Sequence, residues 1–440
     1  MKRLWEARAY EDAVRAGCAW RLDRDWPGFE GDQDSDVAVI GAGYTGLSAA
    51  LHLAEAGERV TVLDAKAPGW GASGRNGGFC CLGGARVSDA ALVRRHGAGA
   101  NDAWFAAEVA AVDLVAGLID RFGIDAATHS DGELVLAHRP RAYRGFSQAR
   151  ARLARRGVAA EILPPEALTA RGLSAAGSFG GLHVRKGFAL DPGAYAQGLA
   201  RAAAAAGADI RAGAPVVSVT RERDRFRLVT PKGSLRAKRL LVATGGYSSE
   251  DLPPWLAGRL LPVQSSVIVT RPLSASEQAA QGWTSDLMAY DSPTLLHYFR
   301  LMPDGRFLFG MRGGSRATPG AEARIARRIR ADLAAMFPAW AEVGIDHEWS
   351  GLVTLTARGT PYVGAIPGMA GAWTALAYHG NGVAMGSYAG ALAADLIRGR
   401  TPERPFPDAM KAPLSRFPLA PLRRALFAAA SAGFGVLDRV

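Results

Sequence analysis

The segment Asp36-Val-Ala-Val-Ile-Gly-Ala-Gly-Tyr-Thr-Gly46 indicates the fold of this chain. Its apolar run ends at Ile40, and three glycines spaced as Gly-x-Gly-x-x-Gly lead into an apolar-periodic stretch from Leu47 to Ala56. That order predicts a strand, a tight turn and a helix, which together open a dinucleotide-binding βαβ unit. The glycines let a pyrophosphate approach the backbone, and the N-terminus of the helix offers it free N–H groups.

The residues that follow support the same interpretation. Gly57 closes the predicted helix, Val60 to Leu63 form the predicted second strand, and Asp64 stands at its end. An acidic residue at this position hydrogen-bonds a ribose 2′-hydroxyl. A glycine turn packed for structural reasons alone is the alternative. We predict a nucleotide site that includes Gly41, Ala42, Gly43, Tyr44, Thr45, Gly46, Asp64 and Ala65.

Length and composition are those of an ordinary globular chain. Its 440 residues exceed the usual size of a single core, so two packed domains are expected. The net charge of +11 includes only six lysines and no basic block, so we expect no nucleic-acid partner. The three cysteines indicate a reducing compartment, and no apolar run follows the charged N-terminus, so a cytoplasmic protein is expected. No metal site is expected.

The pattern of elements predicts an α/β fold with two sheets. A nucleotide-binding domain on a parallel sheet is predicted from three pieces of the chain, 36–90, 170–250 and 346–400. A smaller domain on an antiparallel sheet is predicted from 91–169 and 251–345. Residues 1–35 are predicted to form an N-terminal arm or helix, and residues 401–440 a C-terminal tail.

Four glycine-bearing segments lie far apart in the sequence, each at the boundary of a predicted element. They are residues 41–46, 69–78, 244–247 and 380–386. A nucleotide needs so many segments only if it is long and extended, and FAD meets that demand. The last segment precedes a helix whose N-terminus would stabilise negative charge on the pyrimidine ring of a reduced flavin. A plain glycine loop before a surface helix is the alternative.

These segments resemble those of the D-amino-acid-oxidase-like (DAO) family of FAD-dependent oxidoreductases, and especially its gamma-glutamylputrescine-oxidoreductase-like branch. The resemblance rests on Val39 to Gly57, on Gly69-Trp-Gly-Ala-Ser-Gly-Arg-Asn-Gly-Gly78, on Val242-Ala-Thr-Gly-Gly246 and on Gly380-Asn-Gly-Val-Ala-Met385. The second of these segments is the most specific. The resemblance implies a Rossmann-type FAD-binding domain with a parallel sheet and a smaller substrate domain with an antiparallel sheet.

The resemblance also implies how FAD is held. The glycines of the first turn bind the pyrophosphate, Asp64 binds the adenosine ribose, and Val217 offers its backbone to adenine. The remaining implied cofactor residues are Gly71, Ala72, Ser73, Arg75, Asn76, Gly77 and Gly78 along the pyrophosphate and flavin, Thr244, Gly245 and Gly246 over the nucleotide, and Gly380, Asn381, Gly382, Val383 and Met385 at the pyrimidine edge. Related enzymes with a covalent link have a cysteine toward the C-terminus, and this chain has none after Cys81, so non-covalent FAD is expected.

Candidate substrate-binding residues lie in the predicted strand Leu296-His-Tyr-Phe-Arg300. Alternation along a strand puts Tyr298 and Arg300 on one face, where both could hold a substrate carboxylate. An exposed arginine and a core tyrosine are the alternative. His379 borders the flavin segment and is either a catalytic or a structural histidine.

The expected reaction is oxidation of the C–N bond of an amine or amino acid by hydride transfer to flavin N5, followed by hydrolysis of the imine. Either O2 or another acceptor would reoxidise the flavin. Some oxidases that this chain resembles place a lysine over the flavin to promote reaction with O2, and this chain has no lysine between Lys238 and Lys411. The resemblance therefore supports an oxidase less strongly and leaves open a membrane-associated dehydrogenase that passes electrons to a quinone. Arg416, Arg423 and Arg424 border the apolar stretch 425–436, which could contact an anionic membrane or pack on protein. A non-catalytic flavin-binding sensor or assembly partner is a further alternative.

Overall fold

The computed structural model describes residues 1–437 and has an α/β architecture built on two large sheets. The strands of the described chain are β1 (Gly31–Ile40), β2 (Val60–Leu63), β3 (Phe79–Cys80), β4 (Glu133–Leu136), β5 (Ala160–Leu163), β6 (Gly181–Val184), β7 (Phe188–Ala189), β8 (Asp209–Arg211), β9 (Ser218–Glu222), β10 (Arg225–Thr230), β11 (Gly233–Val242), β12 (Leu260–Pro272), β13 (Met288–Asp291), β14 (His297–Leu301), β15 (Arg306–Arg312), β16 (Ile345–Thr356), β17 (Tyr362–Ala365) and β18 (Ala372–Leu376). The helices are α1 (Tyr44–Glu55), α2 (Asp89–His96), α3 (Ala100–Arg121), α4 (Pro140–Arg155), α5 (Pro165–Ala170), α6 (Pro192–Ala205), α7 (Ala275–Gln281), α8 (Pro319–Met336), α9 (Gly382–Ile397), α10 (Asp408–Lys411) and α11 (Arg423–Leu437).

The first sheet contains the predicted βαβ unit. Its strand order is β17-β18-β11-β1-β2-β8, and β1 pairs in parallel with both β2 and β11. A parallel neighbour requires a crossover connection, and α1 provides it between β1 and β2. Helices α1, α3, α6 and α9 contribute to one apolar core on this sheet. The carboxyl ends of β1 and β2 therefore open onto the turn at Gly41 and onto Asp64, where nucleotides bind in sheets of this kind.

The second sheet is almost wholly antiparallel, in the order β16-β12-β15-β14-β13-β4-β6-β5, with β4 and β13 as its parallel pair. An aromatic cluster that includes Trp283, Phe299 and Phe337 packs on one of its faces together with α8. Alternation along β14 brings Phe299 to this core, while Tyr298 lies on the opposite face. The predicted α/β fold with a parallel and an antiparallel sheet is confirmed.

Two strands lie across the predicted domain boundaries. Strands β6 and β16, which the sequence analysis assigned mainly to the nucleotide-binding domain, pair within the second sheet. Helix α3, assigned to the smaller domain, packs in the core of the first sheet. We therefore propose that β6 and β16 belong to the smaller domain and α3 to the nucleotide-binding domain. Backbone pairing and core contacts define the domains better than changes in residue composition along the sequence.

Both termini of the described chain pack on the body of the protein. The arm contains two short 3-10 turns, Ala7–Tyr10 and Asp12–Arg15, and β1 already begins at Gly31. Trp5 and Tyr10 pack against Leu352. Within residues 1–437, none of the helices combines the length and apolar character that crossing a bilayer requires.

Two of the three arginines at the apolar stretch contact the protein, which was one of the two alternatives for the tail. Arg423 is buried, where its Nε donates to the carbonyl of Leu260 and its guanidinium pairs with Glu250. Arg424 pairs with Glu6 at 2.5 Å. These two side chains are held by the protein and are not presented to a membrane, which leaves Arg416 as the exposed member of the predicted set. Residues 438–440 of the predicted tail lie outside the described part of the chain.

Candidate functional site

A long cleft opens at the carboxyl ends of the parallel strands and has a volume of about 260 Å³. We call it the nucleotide cleft. Its lining comes from all four glycine-bearing segments, which the fold brings together from distant parts of the sequence. The predicted cofactor residues among its walls are Gly41, Gly43, Tyr44, Thr45, Asp64, Ala65, Gly71, Ala72, Ser73, Asn76, Thr244, Gly245, Gly246, Gly380 and Gly382.

The turn at the start of α1 has the form of an anion site. Gly41 has φ +104°, a conformation that favours glycine. A Cβ atom at Gly43 would lie 2.9 Å from the Ser73 Oγ, so a side chain there would fill the space beside the helix N-terminus. Gly43 is the N-cap residue and has no side chain to cap the helix. Of the N–H groups in the first turn, only that of Tyr44 is taken up within the described chain, by the Ser73 Oγ at 2.9 Å. The first turn of α1 therefore offers backbone N–H groups to a pyrophosphate.

Asp64 lies in the wall of this cleft next to the turn. Its carboxylate accepts hydrogen bonds from the backbone N–H of Ala42 at 2.7 Å and of Lys66 at 2.8 Å. Burial raises the pKa of Asp64 to about 6, against the effect of these two hydrogen bonds. Because each carboxylate oxygen has two acceptor sites, the group keeps free acceptors for a ribose hydroxyl.

A second cavity of about 300 Å³ adjoins the nucleotide cleft. The two cavities share wall residues, among them Ala72, Asn76, His379, Gly380 and Gly382, so they form one continuous space. The second cavity lies between segment 76–86, the face of the second sheet that carries Tyr298, and the loop before α9. Its walls also include the predicted cofactor residues Arg75, Gly77, Asn381 and Val383.

The loop before α9 carries unpartnered polar atoms at the junction of the two cavities. Asn381 is the N-cap of α9 but makes no capping hydrogen bond, because its Nδ2 donates to the carbonyl of Cys81 at 2.7 Å. Its Oδ1 and the Nδ1 of His379 are buried without a partner within the described chain. Buried polar atoms of this kind indicate a missing ligand. The glycine cradle, the uncapped helix and these atoms together fit FAD.

His379 is a neutral imidazole in this environment. Burial lowers its pKa to about 3, although its neighbourhood includes a hydrogen bond to backbone. Its Nε2 lies 3.2 Å from the Thr356 Oγ1, and its backbone has φ +52°. The predicted catalytic histidine is thus in the cavity wall, where it can exchange a hydrogen bond but does not supply a positive charge near neutral pH.

Tyr298 lies in the second cavity as predicted. Its ring covers Gly310 of the neighbouring strand, where a Cβ atom would lie 2.2 Å from the ring. Its hydroxyl is 2.9 Å from the Ser265 Oγ. The ring also contacts Gly77, so Tyr298 joins the second sheet to the predicted flavin segment.

Arg300 does not reach the cavity, and its predicted role in substrate binding is wrong. The side chain is only 1% exposed. Its Nε and Nη2 donate to the carbonyls of Gly77 and Leu190, and its Nη1 lies 2.8 Å from the His129 Nε2. The guanidinium therefore holds segment 77–78 against the chain at Leu190. Strand alternation put Arg300 on the correct face, but segment 77–78 covers that part of the face.

Arg312 supplies the positive charge that Arg300 was predicted to supply. It is the last residue of β15 and contributes to the wall of the second cavity. Within the described chain its guanidinium has no carboxylate partner, and it lies beside Gly380. Burial and the nearby Arg86 lower its pKa to about 10, so it stays charged near neutral pH. The sequence carried no signal for this residue, because its place beside Tyr298 depends on the pairing of β14 with β15.

Glu133 is a second wall residue that the sequence analysis missed. It stands at the start of β4 and is 3% exposed. Burial raises its pKa to about 8, although the nearby Cys81 thiol counteracts the shift. Its Oε2 has no hydrogen-bond partner within residues 1–437. The sequence did contain a signal for this residue, because Glu133 is the first residue of the otherwise apolar strand Glu-Leu-Val-Leu.

A few predicted cofactor residues do not line either cavity. These residues are Ala42, Gly46, Gly78, Val217 and Met385. A Cβ atom at Gly46 would lie 1.9 Å from the carbonyl of Gly41, and one at Gly78 would lie 1.9 Å from the carbonyl of Leu190. Both glycines therefore allow close packing and do not contact the cavity.

Val217, the residue predicted to bind adenine, does not line the nucleotide cleft, whereas its neighbour Val216 does. Val217 is 46% exposed, and its N–H donates to the carbonyl of Val229. The preceding Val216 is buried and lies in the wall of the nucleotide cleft. Since neighbouring residues of an extended chain point to opposite sides, the cleft-facing role passes from Val217 to Val216.

Arg75 and the cysteines complete the inner wall. The Arg75 guanidinium stacks on Trp70 at 4.0 Å, and its Nε donates to the carbonyl of that residue. Cys80 is buried outside both cavities, while Cys81 lines the second one. Burial raises the pKa of both thiols, which keeps them protonated and disfavours a covalent link.

Comparisons with known proteins agree with this geometry. The sequence profile of the FAD-dependent oxidoreductase (DAO) family matches residues 36–396. A probable oxidoreductase, OrdL of Rhizobium meliloti, is 31% identical over 392 residues, which span 88% of this chain and 89% of that protein. Gamma-glutamylputrescine oxidoreductase of Escherichia coli is 30% identical over 382 residues, or 84% of this chain and 88% of that protein. The crystal structure of glycine oxidase from Geobacillus kaustophilus shares the fold, with a TM-score of 0.71 and 20% identity over 86% of this chain and 99% of its own.

Proposed function

Because this chain belongs to the DAO family of FAD-dependent oxidoreductases, we propose that it oxidises the C–N bond of an amine or amino acid in the second cavity. FAD supplies the group that accepts the hydride. The protein's part is to hold the cofactor, orient the substrate and exclude water. The names of its relatives favour this class of substrate, since they include gamma-glutamylputrescine oxidoreductase and glycine oxidase.

The proposed pose of FAD follows the continuous space between the two cavities. The pyrophosphate would accept hydrogen bonds from the turn at Gly41 and Gly43, and the ribose would bind Asp64. The flavin would lie at the junction of the cavities, with the amides at the start of α9 at its pyrimidine edge. A helix N-terminus at that edge stabilises negative charge without a titrating side chain. This pose leaves the second cavity open on one side of the flavin for the substrate.

The observation that carries the substrate proposal is the unpaired guanidinium of Arg312 in the second cavity. A charged guanidinium in a largely enclosed space favours an anionic partner, and its fork matches a carboxylate. Tyr298 and the neutral His379 stand in the same wall and can donate or accept single hydrogen bonds. A substrate carboxylate held by Arg312 would fix the C–N bond next to the flavin.

Anaerobic bleaching of the flavin by a panel of amines and amino acids tests this function. The purified protein should be yellow, and at least one compound of the panel should bleach it without oxygen. Protein that binds FAD normally and is bleached by none of the compounds would refute C–N oxidation and favour a flavin-binding sensor. The same panel with Arg312→Gln should show weaker bleaching by carboxylate-bearing compounds than by simple amines.

The electron acceptor is a separate part of the proposal. No lysine occurs among the residues that line the second cavity. This favours a dehydrogenase that passes electrons to a quinone or a similar acceptor over rapid reaction with O2. Rapid reoxidation of the bleached protein on admission of air would contradict the dehydrogenase and identify an oxidase, whereas reoxidation by a quinone or dye alone would support it.

A further inference from the structure

Glu133 is a buried carboxyl group that faces the second cavity without a protein partner for one of its oxygens. The residue is 3% exposed, and its Oε2 makes no hydrogen bond in the described chain. An unsatisfied buried polar atom destabilises the fold. Such an atom in a cavity wall indicates a ligand that completes it.

A second carboxyl group, that of the half-buried Glu108, is held by the protein itself. It stands on α3, does not line the cavity, and accepts a hydrogen bond from the Trp104 Nε1 at 2.6 Å. Burial raises its pKa to about 7 despite that bond. Within the described chain Glu108 therefore has a hydrogen-bond donor for its carboxylate, whereas the Glu133 Oε2 has none.

The charges around the second cavity are unevenly distributed. Three arginines, Arg75, Arg86 and Arg312, contribute to its wall, and none of them forms an ion pair with Glu133 within the described chain. The titratable groups that act on Glu133 are the Cys81 thiol and the more distant Glu108, and Tyr290 lines the cavity beside them. The arginines of the cavity wall can therefore bind an anion, and the separate Glu133 carboxyl group can bind a hydrogen-bond donor or a cation.

We propose that Glu133 forms a subsite for a second, cationic nitrogen of the substrate. This inference rests on the proposed function, because it concerns the compound whose C–N bond is oxidised. Preferred substrates would be diamines or diamino acids, with the second nitrogen bound to the Glu133 carboxylate and any carboxylate bound to Arg312. A monoamine of the same length would leave the Glu133 Oε2 unsatisfied, and specificity follows from that difference.

Binding of a cation at Glu133 would release a proton. Since its pKa lies near 8, the carboxyl group is protonated at pH 7 before binding. An ammonium group beside it favours the ionised form, so the carboxyl proton passes to solvent and an ion pair forms. A monoamine of the same length lacks this step. The expected difference in proton release between the two ligands is close to one proton per site at pH 7.

The test compares matched pairs of probes on the FAD-loaded protein without oxygen. The pairs are 1,4-diaminobutane with n-butylamine, and ornithine with norvaline in both enantiomers. We expect at least one diamine or diamino acid to bleach the flavin at a concentration about 10- to 100-fold lower than its monoamine partner. Glu133→Gln should remove most of this preference, because the amide cannot carry the negative charge.

Glu108→Gln is the matched control, and it should keep the preference for diamines. Loss of the preference in both variants, or its retention in Glu133→Gln, would overturn the subsite. Equal bleaching by both members of every pair in the unmodified protein would overturn it as well. If Glu133→Gln does not load FAD, proton release by the unmodified protein decides instead, and equal release with diamine and monoamine refutes the subsite. Bleaching by no amine refutes the proposed function and this inference with it, whereas a failed preference leaves the proposed function standing.

Discussion

Replacing Arg300 by methionine is expected to destabilise the fold and to leave the choice of substrate unchanged. The guanidinium donates to the carbonyls of Gly77 and Leu190, and both acceptors lose their partner in the variant. Each unsatisfied carbonyl costs about 1–3 kcal/mol, and removal of a buried charge offsets part of the total. We therefore expect a loss of roughly 2–4 kcal/mol in the free energy of unfolding.

The loss can be read from the melting temperature of the FAD-loaded protein. With about 2.1 cal/mol/K of unfolding entropy per residue, 440 residues give about 0.9 kcal/mol/K. The expected loss then corresponds to a decrease in Tm of about 2–4 °C. Segment 77–78 borders the cavities, so the variant should also retain FAD less tightly than the unmodified protein. Tm is measured from the tryptophan and flavin fluorescence of the same sample.

Arg312→Met is the matched control, because it removes the same group from a site without a hydrogen-bond acceptor. Its Tm should stay within about 1 °C of the unmodified protein, because no protein acceptor loses its partner. The substrate concentration for half-maximal bleaching should rise in this variant instead. If Arg300→Met kept the original Tm and weakened substrate binding, the reasoning would be refuted and Arg300 would belong to the substrate site after all.

Three further predictions follow from other contacts of the site and the fold. Arg312→Gln should raise KM for carboxylate-bearing substrates by about 10- to 100-fold, because a charged hydrogen bond is lost, and an unchanged KM in steady-state assays would exclude the carboxylate contact. Gly43→Ala should lower the affinity for FAD, because its Cβ would occupy the space beside the N-terminus of α1, and flavin content after gel filtration measures this; full occupancy would contradict the predicted pyrophosphate site. The free energy of unfolding should fall between pH 6.5 and 9, and His297→Gln should reduce this fall. Burial lowers the pKa of His297, but hydrogen bonds to Asp291 and Asp332 outweigh burial and raise the pKa to about 9. The charged histidine stabilises the fold fully below pH 6.5, and this contribution of roughly 3 kcal/mol disappears as the pH rises through 9. Equal Tm profiles of the variant and the unmodified protein over this pH range would show that the contribution is absent.

Much of the fold followed from local sequence pattern. The turn from Gly41 to Gly46 is a contiguous segment whose strand, glycines and helix each have a short-range cause, so its geometry could be predicted without knowledge of the rest of the chain. The segments at 69–78, 244–247 and 380–386 were recognised in the same way. Their prediction as parts of an FAD-binding fold is confirmed at the level of the family and the sheets.

Residues that act through distant contacts could not be assigned in this way. Strand alternation put Tyr298 and Arg300 on one face, but segment 77–78 covers Arg300. The prediction of Val217 as a cleft residue missed by one position, since Val216 is buried and Val217 is exposed. The hydrogen bond from the Val217 N–H to the carbonyl of Val229 determines which of the two is exposed. Neither outcome can be read from a single segment, since both depend on what packs against the strand.

The sequence alone determined that the chain forms a βαβ unit with glycine segments for an extended nucleotide, because turns and helix entries depend on residues that are neighbours in the chain. Only the tertiary structure decided which side chains face the second cavity. Arg312 on β15 and Glu133 on β4 lie nearly 180 residues apart in the sequence and line the same cavity. The pairing of β15 with β14, of β14 with β13 and of β13 with β4, not the local pattern of either strand, determines which charges lie in the cavity wall.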